Sequence, residues 1–365
     1  MFRQNILHKY RGFNLDYMIL DLNDMRCKVQ ERIKKYNKDF IISELELISD
    51  LGFDFVRFPI NYHNLIENFD EFWESEEPKF NEKNMAMFDA IVKRSIELGL
   101  HTNFALHTAP GYGVSEKEIN IVFQPYNLWS SEIAQNRFIG LWDLISKRYN
   151  NLPIDKFSYN LVNEPPAQFR GITYEIYSDI VRKTVEKIRK NNDNRLVFAD
   201  GMRWGRLCVY DICDIDGVVQ SFRAYDPDCL THAGCPGKMS CDLQKWPGIE
   251  YFDPNGGRDR SEGTYWDKDL LYNEYGKWAK MSEEKNIGVH CGEGGFYKDA
   301  PYEDSVRWFR DVMDILNDYN IGFALWGLSG PFGMVDVPRK GAKYIDYKGH
   351  KIDRNILEIM KNGIQ

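Results

Sequence analysis

Eight apolar, strand-like segments alternating with amphipathic helical ones, with no Ser- or Pro-rich linker between them, predict a single closed (β/α)8 barrel over residues 1–365. An open doubly wound sheet would show fewer strands or a glycine-rich first turn, and no GxGxxG opens a helix here. The chain is long enough for two average domains, but α/β barrels of this size routinely fold as one. It contains no repeat of fixed period and no low-complexity tract.

The strands are expected, in order, near Tyr10 to Leu15, Phe53 to Pro59, His101 to Leu106, Lys156 to Val162, Arg195 to Ala199, Gly217 to Phe222, Ile287 to Cys291 and Gly322 to Trp326. Amphipathic helical stretches separate them: Asp39 to Leu51, Asn81 to Leu98, Ser131 to Tyr149, Tyr174 to Lys190, Lys268 to Glu284 and Tyr302 to Tyr319. The crossover after the fifth strand is short and weakly helical. Long connections follow strands 2, 3 and 6, the last from about Ala224 to Trp266, and at strand C-termini such loops build the mouth of a barrel.

Hydrophobic residues make up 43% of the chain and aromatics 14%, far from the composition of a disordered protein. The net charge of −8 argues against nucleic acid, whose binding depends on clustered Lys and Arg releasing counterions. No apolar run follows His8, Lys9 and Arg11, so no secretory signal is expected, and no segment is long and apolar enough to predict a membrane span. Seven irregularly spaced cysteines favour reduced thiols, and with them a cytoplasmic protein.

The chemistry is expected where strands end. Phe157 to Pro165 reads as a buried strand closing in Asn163, Glu164 and Pro165, and Ile287 to Gly295 as a second, closing in Glu293 between glycines that leave room beside it. Arg57, His107, Tyr225 and Trp326 occupy other strand ends, and in a barrel these positions converge. A protonated carboxyl can donate to a glycosidic oxygen while an ionised one, held by Arg and Tyr, attacks the anomeric carbon. Taken singly, each glutamate could be a solvated rim residue, Arg57 a partner of Asp54, His107 a rim histidine and Trp326 barrel core.

Together the segments Arg11-Gly12-Phe13-Asn14, Val56-Arg57-Phe58-Pro59, Leu106-His107, Asn163-Glu164-Pro165, Glu293-Gly294-Gly295 and Ala324-Leu325-Trp326 resemble the family 5 glycoside hydrolases, cellulase-like retaining β-glycosidase barrels. The resemblance spans nearly the whole chain. It implies Glu164 as acid/base, Glu293 as nucleophile and Asn163 as partner of the sugar 2-hydroxyl. It further implies Arg57 and Tyr225 holding Glu293, His107 lining the cleft and Trp326 beneath the sugar. Where the family shows His-x-Tyr, this chain has Arg223-Ala224-Tyr225. A permanent cation beside Glu164 would favour the carboxylate over the acid, so either the pH optimum is more acidic or Arg223 points elsewhere.

Trp73, Trp129, Trp204, Trp246 and Trp266 lie in or beside strand-end loops, and Trp129 and Trp204 are the favoured sugar platforms; any of them can equally pin its own loop. Cys229, His232, Cys235 and Cys241 crowd one loop, but their spacing matches no familiar zinc site, so reduced thiols without metal are expected. The resulting expectation is a cofactor-free retaining hydrolase of β-glucosidic bonds in short β-glucan oligosaccharides, with no nucleic-acid or membrane partner. Hydrolysis of β-mannosides or of aryl or lipid β-glucosides on the same barrel is the alternative, with a non-catalytic carbohydrate-binding barrel behind it. Oligomeric state is not legible.

Overall fold

The computed structural model describes residues 7–19, 37–75, 78–114, 125–166, 168, 171–191, 193–236, 245–250 and 263–363. Eight strands form a closed parallel barrel: β1 (Arg11–Asn14), β2 (Phe55–Asn61), β3 (His101–Thr108), β4 (Phe157–Asn160), β5 (Val197–Asp200), β6 (Val218–Ala224), β7 (Gly288–Gly294) and β8 (Gly322–Trp326). Each strand neighbours the next in sequence, and β1 lies beside β8. The crossover helices are α1 (Lys38–Asp50), α2 (Glu82–Glu97), α3 (Glu132–Tyr149), α4 (Tyr174–Arg189), α5 (Lys268–Lys285) and α6 (Tyr302–Asp318), followed at the C-terminus by α7 (Arg354–Lys361). The (β/α)8 expectation holds, and the six expected helices stand within one or two residues of where the apolar periodicity puts them. After β5 the crossover has only the short turns Met202–Gly205 and Tyr210–Ile212.

Two compact units divide the chain, residues 15–221 and residues 1–14 with 222–365. In the first, β2 pairs with β3 from Phe55↔His101 to Ile60↔Leu106, and β3, β4, β5 and β6 continue the parallel pairing. Each helix here starts on a side chain that accepts a hydrogen bond from an otherwise orphaned N–H of the first turn: Asn37, Asn81, Ser131 and Thr173. Trp142, wholly buried, packs on Phe104 and Tyr159 and donates its indole N–H to the Leu161 carbonyl (3.1 Å). That bond fixes the chain just beyond the end of β4.

In the second unit β1 pairs with β8 from Arg11↔Phe323 to Asn14↔Trp326, and β8 with β7. Phe222 stacks on Trp278, Phe309 packs on Phe323, and Trp308 donates its indole N–H to the Asp226 carbonyl (2.8 Å) just after β6. Two hairpins here have no strong signal in the sequence. One pairs Gly248–Glu250 with Thr264–Trp266 inside the long β6 connection. The other pairs Tyr344–Tyr347 with His350–Asp353, and its two turn residues Lys348 (φ 49°) and Gly349 (φ 88°) are both left-handed, as a tight hairpin turn requires.

The first hairpin carries a buried carboxyl. Glu250 accepts the N–H of Cys229 (2.9 Å) and the indole N–H of Trp266 (2.9 Å), yet burial outweighs both bonds and pushes its pKa up to about 8. The folded value lies above the unfolded one, about 4.3. The stability Glu250 contributes is therefore complete only below that unfolded value, and it is lost progressively as pH rises through about 8. The thermal midpoint is expected to fall between about pH 6 and pH 8, with a contribution of about 1.4 kcal/mol per pH unit from this group. Glu250→Gln should flatten the slope; an unchanged slope would assign it to other groups.

Cys229 corrects a sequence expectation: it is disulfide-bonded, whereas Cys208, Cys213, Cys235 and Cys291 form no disulfide. An odd cysteine count does not preclude a bridge. Since disulfides persist in oxidising compartments, the thiol argument for a cytoplasmic protein loses its footing. Among the described residues no helix is long and apolar enough to cross a membrane.

Candidate active site

Glu164 lies four residues beyond β4. The chain leaves the strand still tied to its neighbours, Leu161 N–H to Phe198 O (3.0 Å) and Asn163 N–H to Leu106 O (2.9 Å), and then turns abruptly at Glu164, whose φ is +49°. A left-handed conformation costs a non-glycine residue roughly 1–2 kcal/mol and persists only when its surroundings fix it. Here both peptide groups of Glu164 are held. Its N–H donates to Asp200 Oδ2 (2.9 Å), and its carbonyl accepts from the Tyr112 hydroxyl (2.6 Å). Beyond it, the Pro165 and Pro166 carbonyls accept from the N–H groups of Trp204 (2.9 Å) and Arg203 (3.3 Å), themselves left-handed at φ 56° and 54°.

Arg57, on β2 and 1% exposed, binds two amides of the β4 segment. Its Nε donates to Asn160 Oδ1 (2.9 Å) and its Nη2 to Asn163 Oδ1 (2.8 Å). Asn160 passes the contact on, donating from Nδ2 to Asp200 Oδ1 (3.0 Å). The amide of Asn163 is thereby oriented by the guanidinium, with its NH2 end turned away from Arg57. His107 is buried near the end of β3. Trp129, 3% exposed, packs edge-on against Tyr112 with ring centres 4.9 Å apart. It braces the hydroxyl that holds Glu164 and has little face left to offer a sugar. Trp204 is half-buried and contributes its backbone N–H to the Pro165 carbonyl.

Glu293 lies on β7, 3% exposed. Its Oε1 is 3.1 Å from Arg223 Nη2, and its Oε2 accepts from the Tyr225 hydroxyl at 3.4 Å. β6 neighbours β7, and adjacent strands run about 4.8 Å apart, so a side chain at the end of one reaches its counterpart on the other. Of the two placements the sequence leaves open for Arg223, beside Glu164 or elsewhere, the structure has the second: it is ion-paired with Glu293. The flanking glycines have a steric reason: a Cβ at Gly294 would lie 2.6 Å from the Phe323 ring and 2.9 Å from the Ala224 carbonyl, and Gly295 has φ +131°. Asn14 Nδ2 donates to the Gly292 carbonyl (3.0 Å), fixing the backbone just before Glu293.

Tyr225 packs with Tyr297 and Phe332 in one aromatic cluster, against which Trp326 and Cys235 rest. Thr231 donates its hydroxyl to the Tyr225 carbonyl (2.6 Å). The Tyr225 ring therefore has little freedom to leave the carboxylate. Cys241 lies outside the described residues, and among those described no cluster of three or more His, Cys, Asp or Glu could hold a metal. Sequence reasoning passed over Asp200, Asn160, Tyr112, Tyr297 and Phe332. Only Asp200 left a usable signal, as a carboxylate directly after the apolar run Val197-Phe198-Ala199.

Known proteins resemble this chain. Endoglucanase C of Acetivibrio thermocellus is 26% identical over 311 residues, covering 80% of this chain and 85% of its own length. Cellodextrinase A of Ruminococcus flavefaciens is 25% identical over 296 residues, covering 80% and 78%. A glycoside hydrolase of known structure superposes with a TM-score of 0.82 at 30% identity, over 97% of this chain and 99% of that one. The family description "Cellulase (glycosyl hydrolase family 5)" matches residues 25–331. With a parallel (β/α)8 barrel and a buried, cation-paired carboxylate at the end of β7, the chain belongs to glycosyl hydrolase family 5 and is a retaining hydrolase of O-glycosyl bonds.

Proposed function

We propose that the protein cleaves β-glucosidic bonds in β-glucan-derived oligosaccharides by double displacement, with Glu293 as nucleophile and Glu164 as acid/base. The observation that carries this reading is the anchoring of Glu293 between Arg223 and Tyr225. A buried carboxylate gripped by a guanidinium and a phenol hydroxyl is fixed in place and aimed, as attack on an anomeric carbon requires. A carbohydrate-binding barrel without turnover has no use for such an anchor. Glu164 protonates the departing oxygen in the first step and deprotonates water in the second. Asn163, its amide set by Arg57, hydrogen-bonds the sugar 2-hydroxyl, His107 lines the cleft, and Trp326 forms the floor beneath the ring. No organic cofactor enters this chemistry.

The named relatives are endoglucanases and a cellodextrinase, which favours glucosidic over other linkages. The same barrel in Thermotoga maritima Cel5A has been solved with mannotriose and with cellobiose, at 19% identity and a TM-score of 0.69, so the fold itself leaves β-mannosides open. A restriction to short soluble oligosaccharides would follow from a cytoplasmic location, which the Cys229 disulfide does not favour. Hydrolysis of aryl β-glucoside, β-mannoside and β-xyloside, and of gluco-oligosaccharides of defined linkage with product lengths resolved, tests the reading. Turnover of the glucosides and gluco-oligosaccharides above the rest supports it. Selective turnover of mannosides would replace the sugar and keep the mechanism.

A further inference from the structure

The structure assigns to Asp200, at the end of β5, the positioning of the acid/base carboxyl of Glu164. This inference rests on the reading of Glu164 given above. Asp200 is 0% exposed, and both of its carboxylate oxygens accept from the segment that carries Glu164. Oδ1 takes Asn160 Nδ2 (3.0 Å) and Oδ2 takes the Glu164 N–H (2.9 Å), while the backbone carbonyl of Asp200 accepts the Tyr177 hydroxyl (2.7 Å). The carboxylate is held on a rigid strand and reaches the one peptide N–H whose direction sets the left-handed turn at Glu164. Residues just beyond Asp200 extend the grip, because Trp204 and Arg203 hold the Pro165 and Pro166 carbonyls.

The side chain of Glu164 leaves a backbone that would relax toward ordinary φ without these contacts. A catalytic carboxyl displaced by about 1 Å loses on the order of 10²-fold in rate. The consequence falls chiefly on proton transfer, because Asp200 binds the Glu164 N–H directly while Arg57 keeps its own bond to Asn163. Asp200 acts through Glu164, so its removal should matter in proportion to how much the leaving group needs a proton.

The test is Asp200→Asn, assayed as kcat/KM on aryl β-glycosides graded by leaving-group acidity. Asparagine keeps the shape but cannot accept from both donors, since its NH2 must face either Asn160 Nδ2 or the Glu164 N–H. The expected result is a loss of about 10²-fold with a poor leaving group and less than about threefold with 2,4-dinitrophenolate. The exchange Asn160→Asp with Asp200→Asn lets residue 200 accept from Glu164 while donating to residue 160, and should recover part of the loss. Tyr112→Phe, which frees the Glu164 carbonyl, should show the same leaving-group dependence at smaller size, and it supplies the reading if Asp200→Asn does not fold. Equal losses on all leaving groups, or none, in Asp200→Asn, or in Tyr112→Phe if the former is not folded, would overturn the inference. Glu164→Ala run on the same series separates the two claims: if it alone is leaving-group dependent, only the role of Asp200 falls, and if it too is not, the acid/base reading falls.

Discussion

Glu293→Ala is expected to abolish turnover of every substrate, activated or not, by on the order of 10⁵-fold or more, as removal of a covalent nucleophile does. No leaving group can compensate, because the missing atom forms the bond to the anomeric carbon. The folded state should survive. Arg223 would lose its buried partner, and an uncompensated buried charge costs about 3–5 kcal/mol, so the thermal midpoint should drop without loss of the barrel. Glu293→Gln, which keeps an acceptor for Arg223, should recover stability while staying inactive. Residual kcat/KM above a thousandth of the parent in either variant would remove Glu293 from the nucleophile role.

Glu164→Ala is expected to behave differently on different substrates. Loss of a general acid costs about 10²–10⁴-fold when the leaving group needs a proton, and far less with 2,4-dinitrophenolate, which departs as the anion. The first step then outruns the second, since water attack on the glycosyl ester still lacks its base. Azide needs no deprotonation, so it should attack the ester directly, expel the Glu293 carboxylate and raise kcat, releasing a β-glycosyl azide. Uniform losses across leaving groups, or an absence of azide product, would refute the assignment.

The barrel was legible because its strands are apolar runs and every crossover but the one after β5 carries a helix of amphipathic period, and those signals are local. Both candidate carboxylates were legible for the same reason: they close apolar runs at Asn163-Glu164-Pro165 and Glu293-Gly294-Gly295. What was not legible depends on which side chains meet across strands. Nothing in the chain assigns Arg223 to one glutamate over the other, and only the adjacency of β6 and β7 pairs it with Glu293. Asp200 acts on a backbone N–H far from it in sequence, a contact that no residue pattern encodes. The hairpin of Gly248–Glu250 with Thr264–Trp266 has strands of three residues, too short for alternation to register, and with it the buried position of Glu250 was missed. Trp129 illustrates the limit of residue type as a signal: an aromatic in a strand-end loop can face a ligand, but this one is spent bracing Tyr112.

The division of labour between the two glutamates is tested most directly by trapping the intermediate. A 2-deoxy-2-fluoro-β-glucoside with a dinitrophenyl leaving group slows both oxocarbenium-like transition states but keeps the first step viable, so the glycosyl ester accumulates. Mass spectrometry of the intact protein, followed by peptide mapping, then locates the sugar. The account predicts one fluoroglycosyl group per chain, attached to the peptide containing Glu293 and absent in Glu293→Ala. A label on Glu164, or on any residue other than Glu293, would contradict it.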